Sequence, residues 1–320
     1  MSAITTIGEA GLRLSVPHGV RIADADAFDV EVIGAEFNVA AALSNLGWSA
    51  TWVSAVHDAP IGDLVMRAVR RHGVDTSLVQ RPAHGRTSTY YVEYSDIVRP
   101  TRVQYDRANS SFSSIDLDAI DWDELLDTRV LHATGITLGL GGAPRSAVES
   151  AIRQAGDRGV AVSLDVNYRD HLWKPDEAAA VLRPLLAYVD ILFCSERDAR
   201  NVLELEGDPD AVLDQLCEWG ASVVVMSRAE HGLVARLGDR RASAPSVVTE
   251  VVDRLGAGDA MAAGVLHAWL DDDLDRAAPI GSLMAAMAMA QRGEQVITST
   301  KELESLLRDG LGPSLGEEAP

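Results

Sequence analysis

Short apolar, β-branched runs alternate along the chain with longer amphipathic segments, and this alternation limits the fold more than any other feature. The clearest strand patterns are Ala50–Val56, Val130–Thr134, Ala161–Asp165, Ile191–Ser195 and Ser222–Ser227. Helical patterns lie between them, at Glu36–Leu46, Ile61–Arg71, Arg145–Arg158, Glu177–Leu186 and Ala211–Trp219. This order predicts an α/β fold, with a mostly parallel sheet covered by helices on both faces. Ligands of such folds bind beyond the carboxyl ends of the strands.

Two segments, residues 13–33 and 87–107, break this alternation. The first contains a strand pattern at Asp29–Ile33, and the second contains two, Thr89–Tyr94 and Arg102–Tyr105, joined by Ser95–Pro100. Because no helical pattern separates the last two, we expect an antiparallel patch that forms a small β lid over the ligand edge of the sheet. An exposed lid can pair with a second subunit, so we predict a homodimer or higher homo-oligomer.

The remaining residues divide into a core and a tail. We predict that residues 1–12, 34–86 and 108–312 form the core that binds nucleotide and substrate. Residues 313–320 are predicted to be a disordered tail.

The charge of the chain disfavours several classes of partner. Its 320 residues include 28 basic and 48 acidic ones, which gives a net charge of −20. Long-range repulsion therefore disfavours nucleic acid and anionic membranes. Lysine occurs only at Lys174 and Lys301, and the acidic residues are spread along the chain. We interpret this as a salt-adapted surface, and an ordinary acidic enzyme is the alternative.

The sequence also carries no pattern for secretion or membrane insertion. The longest apolar stretch, Leu283–Ala290, is too short to span a bilayer, and no basic region followed by an apolar run begins the chain. Cys194 and Cys217 are its two cysteines and form no CxxC pair. We therefore predict a cytoplasmic protein with reduced thiols.

The segment Asp253–Asp259 contains the strongest functional signal. Two glycines and an alanine lead into a helical pattern that runs to Leu270. Free N–H groups and the helix dipole can hold an anion at such a helix start. An adjacent carboxylate, Asp259, suits phosphoryl transfer from a nucleotide to a hydroxyl. A tightly packed helix start is the alternative, and a dinucleotide fingerprint is not matched because Met261 stands where its third glycine should be.

The segment Gly34–Asn38 is a second candidate site. A glycine after a strand lets a ligand approach the backbone closely. The amide of Asn38 can both donate to and accept from hydroxyl groups. A structural helix cap is an equally good explanation.

The third candidate combines Asp165–Arg169, at the carboxyl end of a strand, with Tyr90, Tyr105 and Arg107 on the predicted lid. Two arginines and two tyrosines in one cleft suit a substrate with a carboxylate and hydroxyls, because guanidinium binds carboxylate through a planar fork. The alternatives are a surface ion pair for Arg169 and packing roles for the tyrosines. No HExxH, HxxH or GxSxG motif occurs, so we expect no metal site built by the protein; a divalent ion would arrive with the nucleotide.

These motifs resemble those of a known family. Asp253–Asp259 is similar to the second signature of the ribokinase-like (PfkB) carbohydrate kinases, and Gly34–Asn38 to their N-terminal signature. The likeness is greatest to 2-keto-3-deoxygluconate kinases and extends from about Ile4 to Glu294. Its further carriers are Gly8-Glu9, Tyr105-Asp106-Arg107, Thr134–Thr137 and Ser163–Arg169 with Leu172-Trp173.

The resemblance implies a ribokinase-like three-layer sandwich and a sugar-acid kinase. Such an enzyme transfers the γ-phosphoryl of ATP to the 6-hydroxyl of 2-keto-3-deoxygluconate or its galactonate epimer. Mg²⁺ would accompany ATP, and a monovalent cation is a further candidate cofactor. The implied catalytic residues are Asp259 as general base and Gly256, Ala257 and Gly258 as anion hole. The implied substrate-binding residues are Gly34, Asn38, Tyr90, Tyr105, Arg107, Arg169 and Glu294. The implied nucleotide-binding residues are Ser195, Ser227, Gly232, Gly256 and Gly258.

Several departures from the family pattern keep alternatives open. Ser227-Arg228-Ala229 replaces a typical Lys-x-Gly, which motivates a non-catalytic sugar- or nucleotide-binding relative as one alternative. Arg254 and Leu255 precede the anion turn where Thr-Thr or Pro-Val is commoner. A kinase of a neutral sugar, such as fructose or ribose, or of a nucleoside is the alternative within the same class. A nicotinamide dehydrogenase is the remaining one, and its fingerprint is missing.

Overall fold

A computed structural model describes residues 1–94, 100–247 and 249–309. Within these ranges the strands are β1 Ser2–Ile7, β2 Gly11–Ser15, β3 Asp29–Ile33, β4 Ala50–Ala55, β5 Val79–Gln80, β6 Thr89–Glu93, β7 Arg102–Asp106, β8 Thr128–Thr134, β9 Ala161–Asp165, β10 Ile191–Ser195, β11 Val223–Ser227, β12 Leu233–Leu237 and β13 Arg240–Ala244. The helices are α1 Ala35–Asn45, α2 Pro60–Arg71, α3 Trp122–Leu125, α4 Gly135–Gly139, α5 Gly142–Arg158, α6 Pro175–Leu186, α7 Glu196–Asn201, α8 Pro209–Glu218, α9 Ala257–Leu270, α10 Ala277–Met289 and α11 Thr300–Asp309.

The larger sheet follows the predicted β–α–β order. Its strand order is β13-β12-β11-β10-β9-β8-β1-β4-β5 in the described part of the chain. Neighbouring strands from β11 to β5 run parallel, whereas β12 and β13 form an antiparallel edge. The predicted strands and helices of the series are present, with small shifts at their ends. The β12–β13 hairpin was not predicted.

Helices cover both faces of this sheet, so the predicted three-layer architecture is confirmed. Alternate residues of β10 enter different cores: Ile191 and Phe193 join one hydrophobic cluster, and Leu192 and Cys194 join the other. Helices α1, α2, α9 and α10 contribute to the first cluster, and α5, α6 and α8 to the second. Helix α9 is buried along most of its length because it lies against both α1 and α10.

The smaller sheet is formed by the segments predicted to be the lid, in the order β3-β2-β6-β7. The β6–β7 pair is antiparallel, as expected. Strand β2 was missed, and it pairs parallel with β6, so the sheet is mixed rather than wholly antiparallel. Residues 95–99 of the predicted connection Ser95–Pro100, and the predicted tail 313–320, lie outside the described residues. The division into core and lid segments stays a prediction.

The described helices include none with the length and apolar character needed to cross a bilayer.

Candidate active site

A cleft lies between the smaller sheet and the carboxyl ends of β1, β8 and β9; we call it the lid cleft. Its floor comes from the larger sheet and from the starts of α1, α4 and α9, and its roof from β2, β6 and β7. The polar residues and glycines that line it are Glu9, Arg13, Gly34, Glu36, Tyr90, Tyr105, Arg107, Thr137, Asn167, Arg169, His171, Arg254, Gly256, Gly258, Asp259 and Glu294. Six of the seven predicted substrate-binding residues are therefore brought together here; the exception is Asn38.

The start of α9 has the backbone conformation that an anion seat requires. Gly256 has a φ of 82°, in the left-handed region, and a Cβ there would lie 2.7 Å from the carbonyl oxygen of Glu294. Only glycine fits without strain. The first bond of the helix runs from the Ala260 N–H to the Gly256 oxygen (2.9 Å), so the N–H groups of residues 257–259 precede it. A Cβ at Gly258 would meet nothing within 4 Å, so this backbone is open to a ligand.

Asp259 lies in the first turn of α9 and is buried at the cleft. Burial raises the pKa of its carboxyl group to about 6. The Asn38 amide, the charge of Arg169 and a hydrogen bond from Asn167 oppose this rise. Asn167 has a φ of 37°, a conformation that asparagine tolerates better than most residues. Above pH 6 Asp259 is mainly ionised and can accept a proton, which suits a general base at neutral pH.

Asn38 holds two carboxylates behind the cleft. Its Nδ2 donates to Asp259 Oδ2 (2.7 Å) and to Glu294 Oε2 (3.0 Å). Its Oδ1 accepts from Nε2 of Gln295 (2.5 Å). The bonds from Nδ2 join Asn38 to the carboxylates of Asp259 and Glu294. The predicted contact between Asn38 and substrate hydroxyls stays a prediction.

Glu294 lines the cleft but is also tied to the lid through Arg13. Its Oε1 accepts from Nη1 of Arg13 (3.2 Å), and burial raises the pKa of its carboxyl group to about 7. Arg13 on β2 is fully buried and also pairs with Glu31 on β3 and with Asp253 (2.8 Å). One guanidinium thus joins two lid strands to the anion turn. Sequence reasoning missed Arg13 together with its strand.

The two predicted arginines face the cleft in different charge environments. Arg107 pairs with Glu9, at 2.7 Å between Nη2 and Oε2. Arg169 donates to the carbonyl oxygen of Tyr168 (3.0 Å) and forms no ion pair with any residue in the described ranges. Of these two arginines, Arg169 is therefore the one without a direct ion pair in the described ranges, although its charge also lowers the pKa of the carboxyl groups of Asp165 and Asp259. In the sequence, Glu9 is marked only by the motif Gly8-Glu9.

Aromatic rings form one wall of the lid cleft. Tyr90 and Tyr105 meet edge to face with centroids 5.2 Å apart. The Arg107 guanidinium lies over the ring of Tyr90, 5.6 Å from its centroid. The ring of Tyr105 stacks on His171, with centroids 4.0 Å apart and planes 15° apart. No signal in the sequence pointed to His171.

Gly34 permits a close approach to the start of α1. A Cβ at this position would lie 2.3 Å from the carbonyl oxygen of Glu9. The neighbouring Glu36 is buried, and its Oε1 accepts hydrogen bonds from Thr134 and Thr137. Burial raises the pKa of the Glu36 carboxyl group. Glu36 therefore joins α1 to α4 beneath the cleft.

A second cavity, which we call the rear cavity, lies on the other side of the α9 start. It shares Arg254 and Gly258 with the lid cleft. The residues that line it are Ser227, Ala229, Glu230, Gly232, Leu233, Ser246, Val247, Thr249, Val251, Arg254, Ala257, Gly258, Met261, Ser282, Ala285 and Met289.

The residues predicted to bind the nucleotide do not all line one cavity. Ser227, Gly232 and Gly258 line the rear cavity, whereas Gly256 lines the lid cleft. Ser195 lies in a neighbouring depression with Ser227, outside the rear cavity. Its Oγ accepts from the N–H of Asp198 (3.0 Å) and caps α7. Ser195 thus caps a helix, and its predicted contact with the nucleotide stays a prediction.

A three-layer α/β fold with an open helix start and a buried carboxylate between two cavities is the arrangement of a phosphotransferase. The family comparison identifies the class further: the pfkB family carbohydrate kinase model matches residues 4–301, and the chain belongs to this family. It is therefore a kinase, and the family supports the predicted use of ATP. This assignment excludes the dehydrogenase alternative.

Individual relatives agree with this assignment over nearly the whole chain. A 2-dehydro-3-deoxygalactonokinase of Haloferax volcanii is 34% identical over 309 residues, which cover 96% of this chain and 97% of the relative. A 2-dehydro-3-deoxygluconokinase of Bacillus subtilis is 28% identical over 264 residues, or 80% of this chain and 81% of the relative. The crystal structure of a 2-dehydro-3-deoxygluconokinase of Thermotoga maritima superposes with a TM-score of 0.89 at 32% identity, and covers 96% of this chain and 98% of that one.

Proposed function

We propose that this protein is an ATP-dependent kinase of 2-keto-3-deoxy (2-dehydro-3-deoxy) sugar acids. It transfers the γ-phosphoryl of ATP to the 6-hydroxyl of 2-keto-3-deoxygluconate or its galactonate epimer. The observation that carries the proposal is the position of Asp259, at an open helix start where the lid cleft and the rear cavity meet. The names of the relatives support the substrate class.

In this reaction Asp259 takes the proton of the acceptor hydroxyl. Its pKa is raised to about 6, which is still below neutral pH, so the carboxylate is mainly ionised there. The N–H groups of Ala257 and Gly258 face the transferring phosphoryl and stabilise its negative charge, aided by the positive end of the α9 dipole. Asn38 keeps Asp259 oriented toward the hydroxyl through the bond to Oδ2.

Recognition of the acid group depends on Arg169. Its guanidinium forms no ion pair among the described residues, although its charge lowers the pKa of Asp165 and Asp259, so its remaining N–H donors can bind a substrate carboxylate. Arg107 already pairs with Glu9 and contributes shape and hydrogen bonds more than net charge. Tyr90 and Tyr105 form the wall against which the sugar chain lies.

The rear cavity holds ATP, with its terminal phosphate directed at Gly258. Asp259 is a buried carboxylate beside this point, and the phosphates of the nucleotide add further negative charge, which fits a nucleotide that arrives with Mg²⁺. When bound, Mg²⁺ neutralises charge on the phosphates of the nucleotide.

A panel of ADP-release assays tests the proposal. Purified enzyme with ATP and Mg²⁺ is offered 2-keto-3-deoxygluconate, the galactonate epimer, fructose, ribose and a nucleoside, and ³¹P NMR locates the new phosphate ester. We expect turnover on the sugar acids with a 6-phosphate product. Asp259→Asn should lower kcat by on the order of 10²–10⁴. Asp271→Asn, at the exposed far end of the same helix, is the matched control.

The panel also separates this function from its main competitor. One observation favours a neutral sugar: the charge of Arg107, one of the two arginines predicted to bind the acid group, is balanced by Glu9. For a sugar-acid kinase, Arg169→Ala should lower kcat/KM for the acids far more than for fructose. Equal losses for acids and neutral sugars, or turnover on neutral sugars alone, would contradict the proposed substrate.

A further inference from the structure

Arg254 is the side chain, next to the turn, that lines both the lid cleft and the rear cavity. It is exposed, and it makes no hydrogen bond, ion pair or ring contact with the residues at 1–94, 100–247 and 249–309. The other arginines at the lid cleft do have partners: Arg13 binds three carboxylates, Arg107 binds Glu9, and Arg169 donates to a carbonyl. In a chain of net charge −20, an unpaired arginine at this junction leaves a cation facing the shared space.

The backbone on either side of Arg254 is held in place. Asp253 Oδ1 accepts from the N–H of Leu255 (3.1 Å), and its Oδ2 pairs with buried Arg13 (2.8 Å). On the other side, Gly256 adopts the left-handed conformation that starts the helix. The Cα of Arg254 is therefore fixed beside the anion seat, while its long side chain stays unattached. An arginine that only interacts with solvent would not need a backbone held so rigidly.

We propose that Arg254 is a catalytic residue that contacts the transferring phosphoryl group. In the step, the bond between the γ-phosphorus and the β,γ-bridging oxygen breaks, and a bond from the same phosphorus to the acceptor oxygen forms. The acceptor proton goes to Asp259, and ADP leaves with the bridging oxygen. Arg254 keeps its proton throughout and binds equatorial phosphoryl oxygens through its forked donors.

The position suits this role because the phosphoryl group crosses from the rear cavity to the lid cleft, and Arg254 borders both. Donors aimed at charge that develops in transfer stabilise the transition state more than the ground state. An arginine supplied in this way raises kcat by 10³–10⁵ in GTPases. Since Arg254 is exposed, we expect a smaller effect, on the order of 10–10³. The inference rests on the proposed function in its use of ATP and Asp259, and it does not depend on which sugar accepts the phosphate.

The test compares Arg254→Ala and Arg254→Lys with the wild type in ADP-release assays at saturating ATP and acceptor. We expect kcat to fall 10- to 1000-fold for the alanine variant, with partial retention for lysine, which keeps the charge but loses the fork. Arg153→Ala is the control: this exposed arginine on α5 stacks on Tyr188, away from both cavities. Circular dichroism melts check that all variants fold.

A binding measurement separates contact with the phosphoryl from a structural effect. Calorimetry compares ADP alone with ADP plus aluminium fluoride, a mimic of the phosphoryl in transfer, in the presence of acceptor. Arg254→Ala should weaken binding of the aluminium fluoride complex by about the factor lost in kcat and leave ADP affinity nearly unchanged.

Two results would overturn the inference: an unchanged kcat, or a lower kcat with equal losses for ADP and its aluminium fluoride complex. If the wild type accepts a neutral sugar alone, the proposed substrate fails, and the same comparison is made with that sugar.

Discussion

Replacing Asn38 by leucine should move the pH dependence of catalysis, because the side chain of Asn38 donates a hydrogen bond to the carboxylate of Asp259. The amide donates to both Asp259 and Glu294, and leucine has a similar volume with no donor. A hydrogen bond to a charged group contributes about 1.5–3 kcal/mol, and one pKa unit corresponds to about 1.4 kcal/mol. Loss of the bond to ionised Asp259 should therefore raise its pKa by about one to two units.

The direction of the effect on rate follows from the role of a base. Wild-type kcat/KM should rise with pH through about 6, the pKa of Asp259. In Asn38→Leu this rise, which is the acid limb of the pH profile, should move to between about 7 and 8. At pH 7 the ionised fraction then drops from about nine tenths to between about one half and one tenth, so kcat/KM falls roughly 2- to 10-fold. Most of the loss should be recovered at pH 9.

The assay is a coupled measurement of ADP release from pH 5 to 9.5, with circular dichroism at each end of the range. Asn45→Leu is the matched control, because Asn45 lies on the same helix and donates to the carbonyl oxygen of Val296 (2.9 Å) rather than to a carboxylate. Its acid limb should stay near 6. If Asn38→Leu instead loses the same factor at every pH, Asn38 does not set the ionisation of Asp259, and the reasoning is wrong.

Five further changes test the roles of charge and packing in this structure. Arg169→Ala should raise the acid limb of kcat/KM above 6, because the charge of Arg169 lowers the pKa of Asp259; a limb that moves down would contradict this. Arg13→Met should reduce the free energy of unfolding by about 3–5 kcal/mol in urea titrations, since the buried carboxylates of Asp253 and Glu294 and the partly buried one of Glu31 lose their partner. Arg86→Met, which breaks an ion pair half exposed on the lid, should cost under about 1 kcal/mol, and equal losses for the two variants would refute the difference. The melting temperature should rise between low and molar KCl, because salt screens a net charge of −20; a flat curve would favour an ordinary acidic enzyme. Light scattering should show an oligomer, and Val30→Asp, on the exposed face of β3, should dissociate it if the lid is the interface.

Local patterns were sufficient for the larger sheet and for the start of α9. Each strand–helix unit there is short in sequence, and the glycine turn with its carboxylate is read directly from neighbouring residues. The β12–β13 hairpin was missed because Arg240–Ala244 is short and rich in arginine, as an exposed loop would be. Such an edge strand has no buried pattern to mark it.

Strand β2 of the lid and the contacts behind the cleft could not be predicted from local patterns. Strand β2 contains a fully buried arginine, and arginine normally indicates a surface. Its partners come from Glu31, Asp253 and Glu294, which are distant in sequence. Asn38 was placed at the right helix start, but its contacts with Glu294 and Gln295 could not be predicted, because they depend on how the chain returns to the site.

The two cores on either side of the larger sheet have a consequence for how the chain must fold. Because Ile191 and Phe193 enter one core and Leu192 and Cys194 the other, both faces of β10 are apolar. If β10 paired with its register shifted by one residue, it would bury nearly the same apolar surface. The hydrophobic effect alone therefore cannot select the correct register. Steric fit between neighbouring side chains must do so instead. An undetected slip would displace Ser195 and the start of α7, at the end of the strand, by about 3.3 Å in a molecule that still looked well folded.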